Sequence, residues 1–297
     1  MYEGTFWRGG SVRTSVISGV EHALWDIKGK SLGMPVNHLV GGPMREQVKV
    51  YTHFGVRSGL AKNYAASAVG AVEMGFRAIK TDSFQPKNFS MDTVAMRVAT
   101  NRIRKEREAI GEDVDILIKC HGPMNASTAI RLAKVLEPYD IFWFEEPVPV
   151  ESDHALKQVQ DKVSVPICVG ERIHTRWEFV PILENELADF IMPDVTWTGG
   201  ITELKKIATM AEAYYVPISP HNAMGALQVV AGAHAMMGVP NFYRLEYSTM
   251  AIPAYNAVLT EDIDFRAGNL YLNDRPGLGV ELDLDYLEAN LHPAWRN

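Results

Sequence analysis

Eight short runs rich in β-branched and aromatic residues punctuate this sequence, and a stretch of helical periodicity lies between each run and the next. The runs fall at residues 48–53, 78–81, 115–118, 141–144, 166–169, 190–192, 216–218 and 242–245. The spacing predicts helices over 60–74, 91–110, 154–163, 176–183, 201–214 and 227–237, and another carrying Ile130, Ala133, Val135 and Leu136. Ahead of the first run, Val16, Val20, Ala23, Leu24 and Ile27 recur at three- and four-residue intervals and mark one more amphipathic helix. Strands that each feed a helix build either an open doubly wound sheet or a closed barrel. No Gly-x-Gly-x-x-Gly follows the first run, so closure is the expectation. Beyond residue 250 the pattern gives way to turn-rich sequence with Pro253, Gly268, Pro276, Gly277 and Gly279, and 254–297 reads as a tail that leaves the barrel.

Composition narrows the partners. A net charge of −7 argues against a surface built to grip nucleic acid or an anionic membrane, although a local basic pocket is compatible with it. Two cysteines, Cys120 and Cys168, form no disulfide framework and suit a reducing cytoplasm. No apolar run approaches the length of a membrane span, and no charged-then-apolar leader opens the chain. The Gly-rich, aromatic first ten residues read like the middle of a longer protein.

Polar residues end these runs: Lys80 or Asp82, Lys119 with His121, Glu145, Glu171, Asp194, His221 and Glu246. From Lys119 onward the intervals are 26, 26, 23, 27 and 25 residues, one strand–helix unit each. In a closed barrel such steps gather the groups on one rim, where barrel active sites lie. Glu145 and Glu171, hard carboxylates on neighbouring strands, suit Mg²⁺, which would clamp a substrate carboxylate and stabilise an enediolate. A carboxylate touching imidazole raises its basicity, so Asp194 with His221 is the candidate base. Glu246 is placed to hydrogen-bond the substrate carboxylate from the far side. His121, two residues past Lys119, points to the same side of an extended strand; two histidines on one cavity suit an elimination, one taking a proton and the other supplying one. Lys80, Asp82, Arg172 and Trp197 are candidates to touch substrate, with Lys80, Arg172 and Arg176 having the alternative of pairing with nearby carboxylates. A lone strand-end carboxylate is more often a helix cap or an ion-pair partner; the joint pattern is what favours function here. Glu146 reads as structural and Phe142, Trp143 and Phe144 as barrel core, while His154 and His174 have no placed partner.

At these residues the sequence resembles the mandelate racemase branch of the enolase superfamily. The motifs are Gly-Val-Glu-His-Ala-Leu-Trp-Asp-Ile-Lys-Gly-Lys from Gly19, Phe-Glu-Glu-Pro at 144–147, Val-Gly-Glu-Arg at 169–172, Pro-Asp-Val-Thr-Trp-Thr-Gly-Gly-Ile-Thr-Glu from Pro193, Ser-Pro-His-Asn at 219–222 and Pro-Gly-Leu-Gly-Val-Glu from Pro276. His121–Gly122, the stretch from Glu171 to Trp177 and His221 look like the acid-sugar dehydratases of that branch. The resemblance implies a modified (β/α)₇β TIM barrel over 15–253, a remnant of an α+β capping domain at 1–14, and a tail at 254–297 that would pack on the cap. It also implies Mg²⁺ and dehydration of a small acid sugar to a 2-keto-3-deoxy acid. An inactive homologue or fragment that at most binds small acids, and a hydroxy-acid racemase or epimerase, are the alternatives.

Three departures qualify these expectations. The family's third metal carboxylate falls at Lys119, and a unit positive charge about 5 Å from a divalent ion costs on the order of 6 kcal/mol at an effective dielectric near 20. The Lys119 ammonium is therefore expected between Glu145 and Glu171, where a metal would stand, with weak or absent Mg²⁺ binding. Lys80-Thr81-Asp82 replaces the Lys-x-Lys of many racemases, which favours dehydration, and Asp82 is expected to pair with Lys119. Most of the capping domain is missing from the pattern, which implies an open mouth and exposed core surface that promotes association into a homo-oligomer.

Overall fold

A computed structural model describes residues 1–4, 6–54, 63–82 and 89–291, with Phe54 described by its backbone alone. Two helices, α1 (Ser11–Leu32) and α2 (Val36–Leu39), lead into β1 (Val48–Phe54). There follow α3 (Tyr64–Glu73), β2 (Ala78–Thr81), α4 (Thr93–Ile110), β3 (Asp115–Lys119), α5 (Ala126–Leu136), β4 (Ile141–Glu145), α6 (Asp153–Gln160), β5 (Ile167–Val169), α7 (Arg176–Glu184) and β6 (Phe190–Ile191). The remainder comprises α8 (Val195–Thr198), α9 (Ile201–Ala213), α10 (Ala226–Met236), β7 (Leu245–Glu246), α11 (Ile252–Ala257), β8 (Phe265–Arg266), β9 (Asn269–Leu270) and α12 (Leu284–Ala289). Among the described residues no helix is long and apolar enough to cross a membrane.

Strands β1 to β6 pair in parallel in sequence order. The seventh position is filled by residues 217–219: Ile191 N–H donates to Pro217, Ser219 to Ile191, Ile218 to Asn241 and Tyr243 to Ile218. β7 then pairs in parallel with β1, Val50 facing Leu245 and Tyr51 facing Glu246. The sheet thus returns to its first strand, with helices between the eight segments. The expected strand at 216–218 is reduced to bridges because Pro217 and Pro220 have no N–H to give a ladder. Helix α3 begins at Tyr64 rather than 60, residues 60–62 lying outside the described set, and the Asn63 side chain caps it by accepting from Ala65 N–H. Asp92 likewise starts α4 two residues after the expected 91.

The barrel interior follows from strand alternation. Tyr51, Ala78, Leu117, Trp143, Cys168 and Met192 form a buried cluster of their own, with Phe142, Phe190 and Tyr243 against it. The residues two positions farther along each strand are His53, Lys80, Lys119, Glu145, Gly170 and Asp194. Side chains i and i+2 share a face of a strand, so an apolar plug carries a polar layer at the carboxyl ends of the strands.

Helix α1 departs from the usual arrangement of a surface helix, whose apolar stripe turns inward. Here Val16, Leu24 and Ile27 are 59%, 58% and 61% exposed, while Thr14, Ser18, His22 and Gly29 are buried. The cause is what α1 meets. The amino-terminal N–H groups at α9 need acceptors, and Glu21 accepts from Ile201 N–H at 2.8 Å and Thr202 N–H at 2.9 Å, while Ser18 Oγ accepts from Gly199 N–H at 3.1 Å. Gly29 permits a close approach, since a Cβ there would lie 2.6 Å from Gly277 Cα. That contact belongs to the carboxy-terminal residues, which return to the barrel rather than leave it. β9 pairs antiparallel with the start of β1, at Val48 and Lys49, below the stretch occupied by β7. His234 of α10 joins both ends of the chain, its Nδ1 accepting from Asn37 N–H and its Nε2 donating to the Leu278 carbonyl, each at 3.0 Å.

Candidate active site

Asp194 caps α8. Its Oδ1 accepts from Thr196 N–H at 2.7 Å and Trp197 N–H at 3.2 Å, which leaves Oδ2 for the Gln228 amide at 2.6 Å and His221 Nδ1 at 2.7 Å. The imidazole is thereby fixed with Nδ1 as donor and Nε2 turned towards other carboxylates, 3.3 Å from Glu171 Oε2 and 3.8 Å from Glu246 Oε2. Burial disfavours charge on His221, but Glu246 and the hydrogen bond to Asp194 outweigh it and raise the pKa to about 9.

Beneath this dyad lies Lys80, 1% exposed. Its Nζ is 3.2 Å from Glu145 Oε1 and 2.9 Å from Glu246 Oε1, with the Tyr51 ring 5.5 Å away. Burial opposes its charge, yet Glu145 and Glu246 hold it protonated. The two carboxylates fare differently. Besides Lys80, Glu246 Oε2 accepts from Tyr51 Oη at 3.0 Å and Asn222 N–H at 3.2 Å. Burial acts against Glu246 as an anion, but Lys80 and His221 overcome it and depress its pKa to about 2. Glu145 has Lys80 and a 3.3 Å bond from Trp143 Nε1; burial, then repulsion from Glu171 and Glu246, lift it to about 7 against the pull of Lys80.

The open side carries His121, Glu171 and Lys119. His121 has φ +64 and a side chain 56% exposed, and its Nε2 lies 3.7 Å from Glu171 Oε1. Two imidazoles therefore flank one carboxylate. Burial and the charge of Lys119 lower the His121 pKa, with Glu171 opposing. Lys119 is half-buried and in register with Glu145, and among the described residues its Nζ forms no hydrogen bond or ion pair. Burial and the neighbouring Lys80 lower its pKa.

Two expectations are corrected here. The ammonium seated between carboxylates is that of Lys80, and it joins Glu145 to Glu246; Lys119 does not stand between Glu145 and Glu171. Lys80 is in register with Leu117, which is part of the apolar plug, and is all but fully buried, where an unpaired charge would be costly. Nor does Asp82 pair with Lys119: among the described residues no ion pair or hydrogen bond joins the two side chains, and Asp82 Oδ1 has no hydrogen-bond partner.

Arg172 is occupied by Glu146, its Nε 2.7 Å and its Nη2 2.6 Å from Oε2. That pair lines an outer cavity of about 340 Å³ with Val148, Leu156 and Ile173. Arg176 pairs in the same way with Glu203, at 2.5 Å. Trp197 is half-buried in α8, tied to Asp194 through its backbone. Tyr51, Asn222, Gln228 and His53 join the site without having been singled out. Asn222 had a signal, directly following His221 in Ser-Pro-His-Asn. Tyr51 and Gln228 had none, the first reading as strand interior and the second as one polar residue in an apolar helix. His53 is held neutral by burial and by Lys119 and Lys80, and its Nε2 has no partner among the described residues.

These residues do not fit the Mg²⁺ site that the resemblance implies, for which Glu145 and Glu171 were the expected ligands and Lys119 stands at the third position. One Glu145 oxygen is engaged by Lys80, the end of β3 presents an ammonium, and among the described residues no group of three or more His, Cys, Asp or Glu is disposed to hold a metal.

Comparison with known proteins places this geometry in context. The Enolase C-terminal domain-like family model matches residues 63–286, and the Mandelate racemase / muconate lactonizing enzyme N-terminal domain model matches residues 1–41. A D-xylonate dehydratase of Haloferax volcanii is 34% identical over 288 residues, covering 93% of this chain and 69% of its own length. A D-galactonate dehydratase of Cronobacter sakazakii is 34% identical over 309 residues, covering 100% of this chain and 79% of the relative. Among solved structures, a member of the enolase superfamily from Salmonella Typhimurium superposes with a TM-score of 0.91 at 32% identity, covering 97% of this chain and 80% of the other.

Proposed function

The chain belongs to the mandelate racemase / muconate lactonizing enzyme branch of the enolase superfamily, and from that premise we propose that it is an acid-sugar dehydratase. The observation that carries the reading is the pair of imidazoles on either side of Glu171, one of them backed by Asp194. His221 Nε2 takes the proton α to the substrate carboxylate, and Asp194 stabilises the imidazolium that forms. The C–H electron pair passes into the carboxylate as an enediolate. Its return expels the β-hydroxyl, which leaves as water with a proton from His121. The resulting enol takes a proton from solvent at the β-carbon and becomes a 2-keto-3-deoxy acid. Glu246 and Lys80 stay locked together below the reacting atoms and keep the floor of the mouth charged and ordered. D-galactonate, D-mannonate and D-xylonate, the substrates in the relatives' names, are the first to try. A screen of hexonates and pentonates by the semicarbazide assay should give a 2-keto-3-deoxy product, lost in His221→Asn.

A second reading has its own support. Lys80 and Lys119 occupy what a divalent ion would need, which favours a homologue that binds acid sugars without turning them over. Calorimetric binding of an aldonate with no product in the same tube would select it. Solvent deuterium entering the substrate without loss of water would select racemisation.

A further inference from the structure

The geometry points to Lys119 as the receptor for the carboxylate of the acid sugar, binding it directly and without a divalent cation; the substrate class rests on the dehydratase reading. Three observations converge on it. Lys119 lies two residues beyond interior Leu117 and in register with Glu145, which puts it in the polar layer of the barrel mouth. The mouth's other ammonium is already committed, Lys80 being held by both Glu145 and Glu246. Lys119, half-buried, has no such partner among the described residues, although His53, His121, Lys80, Asp82 and Glu145 all feel its field. An arriving carboxylate would give this ammonium the charge-assisted hydrogen bond that Lys80 already receives from Glu145 and Glu246. His121, two positions on along the chain, stands beside the anion so held, as a proton donor to its β-hydroxyl must.

The test is binding by protein freed of divalent metal with EDTA. D-galactonate, D-mannonate and D-xylonate are titrated calorimetrically beside their alditols, which lack the carboxylate. At least one aldonate should bind, no alditol should, and millimolar Mg²⁺ should leave the affinity unchanged. Lys119→Met should weaken binding about tenfold or more, and Lys119→Arg should restore it to within about threefold. Thermal unfolding checks each variant, with Lys119→Gln in reserve should Lys119→Met fail to fold. Binding that requires Mg²⁺, binding indifferent to Lys119→Met, or no aldonate bound by the unaltered protein would each overturn the assignment. Turnover is read separately: product formed undiminished by Lys119→Met rejects the receptor and keeps the dehydratase, whereas aldonate binding that follows Lys119 without product keeps the receptor and rejects the dehydratase.

Discussion

Lys80 and its two carboxylates show how far a single buried charge can organise a site. Removing it leaves Glu145 and Glu246 facing each other in a dry interior, so Lys80→Met should cost roughly 3–5 kcal/mol of stability, measured by denaturant unfolding. Adding Glu145→Gln should recover part of that loss, because one uncompensated anion is then gone. The histidines give a pH prediction with a definite sign. The proposed elimination needs His221 without its proton and His121 with one, but the resting site prefers the reverse, His221 being raised to about 9 and His121 lowered below its usual value. Between those limits one proton is shared by the pair, and a constant minor fraction carries it on His121. kcat/KM should therefore be flat across neutral pH, fall above about 9 as no acid remains, and fall on the acid side as both rings become charged. A profile rising steadily through pH 9 would remove His121 from the mechanism.

Elements carried most of what could be anticipated. The seven strands β1 to β7 end within a residue of the expected positions, because a buried parallel strand is a dense apolar run and the helices between have clear periodicity. The segment at 216–218 was visible as a run yet failed as a ladder through its prolines, which hydrophobicity does not register. Helix α1 misled for a different reason: its apolar stripe was legible, but its burial depends on Glu21 and Ser18 finding the N–H groups at α9 about 180 residues away. Two substitutions test this orientation by chemical denaturation. Leu24→Lys, on the apolar but exposed side, should change stability by less than about 0.5 kcal/mol. Gly29→Ala, on the small-residue side, should cost about 1–3 kcal/mol, because the added Cβ would meet backbone atoms of Gly277 and Met34 at 2.6–2.8 Å.

At the scale of the whole molecule, closure of the sheet converts evenly spaced strand ends into one site. Glu145, Glu171, Asp194, His221 and Glu246 were legible as members because they end strands one unit apart. Their pairings were not, since which cation meets which anion depends on the barrel's stagger and on layer height. Lys80 and Lys119 exchanged places for that reason. Arg172 and Arg176 are each paired with a glutamate, Glu146 and Glu203. The central claim is that the assembled mouth removes an α-proton and then expels a β-hydroxyl. It is tested most directly by incubating the protein with D-galactonate, D-mannonate and D-xylonate in D₂O and following them by proton NMR. The account predicts a 2-keto-3-deoxy acid carrying one deuterium at C3. Substrates recovered intact, or deuterated at C2 with every hydroxyl retained, would contradict it.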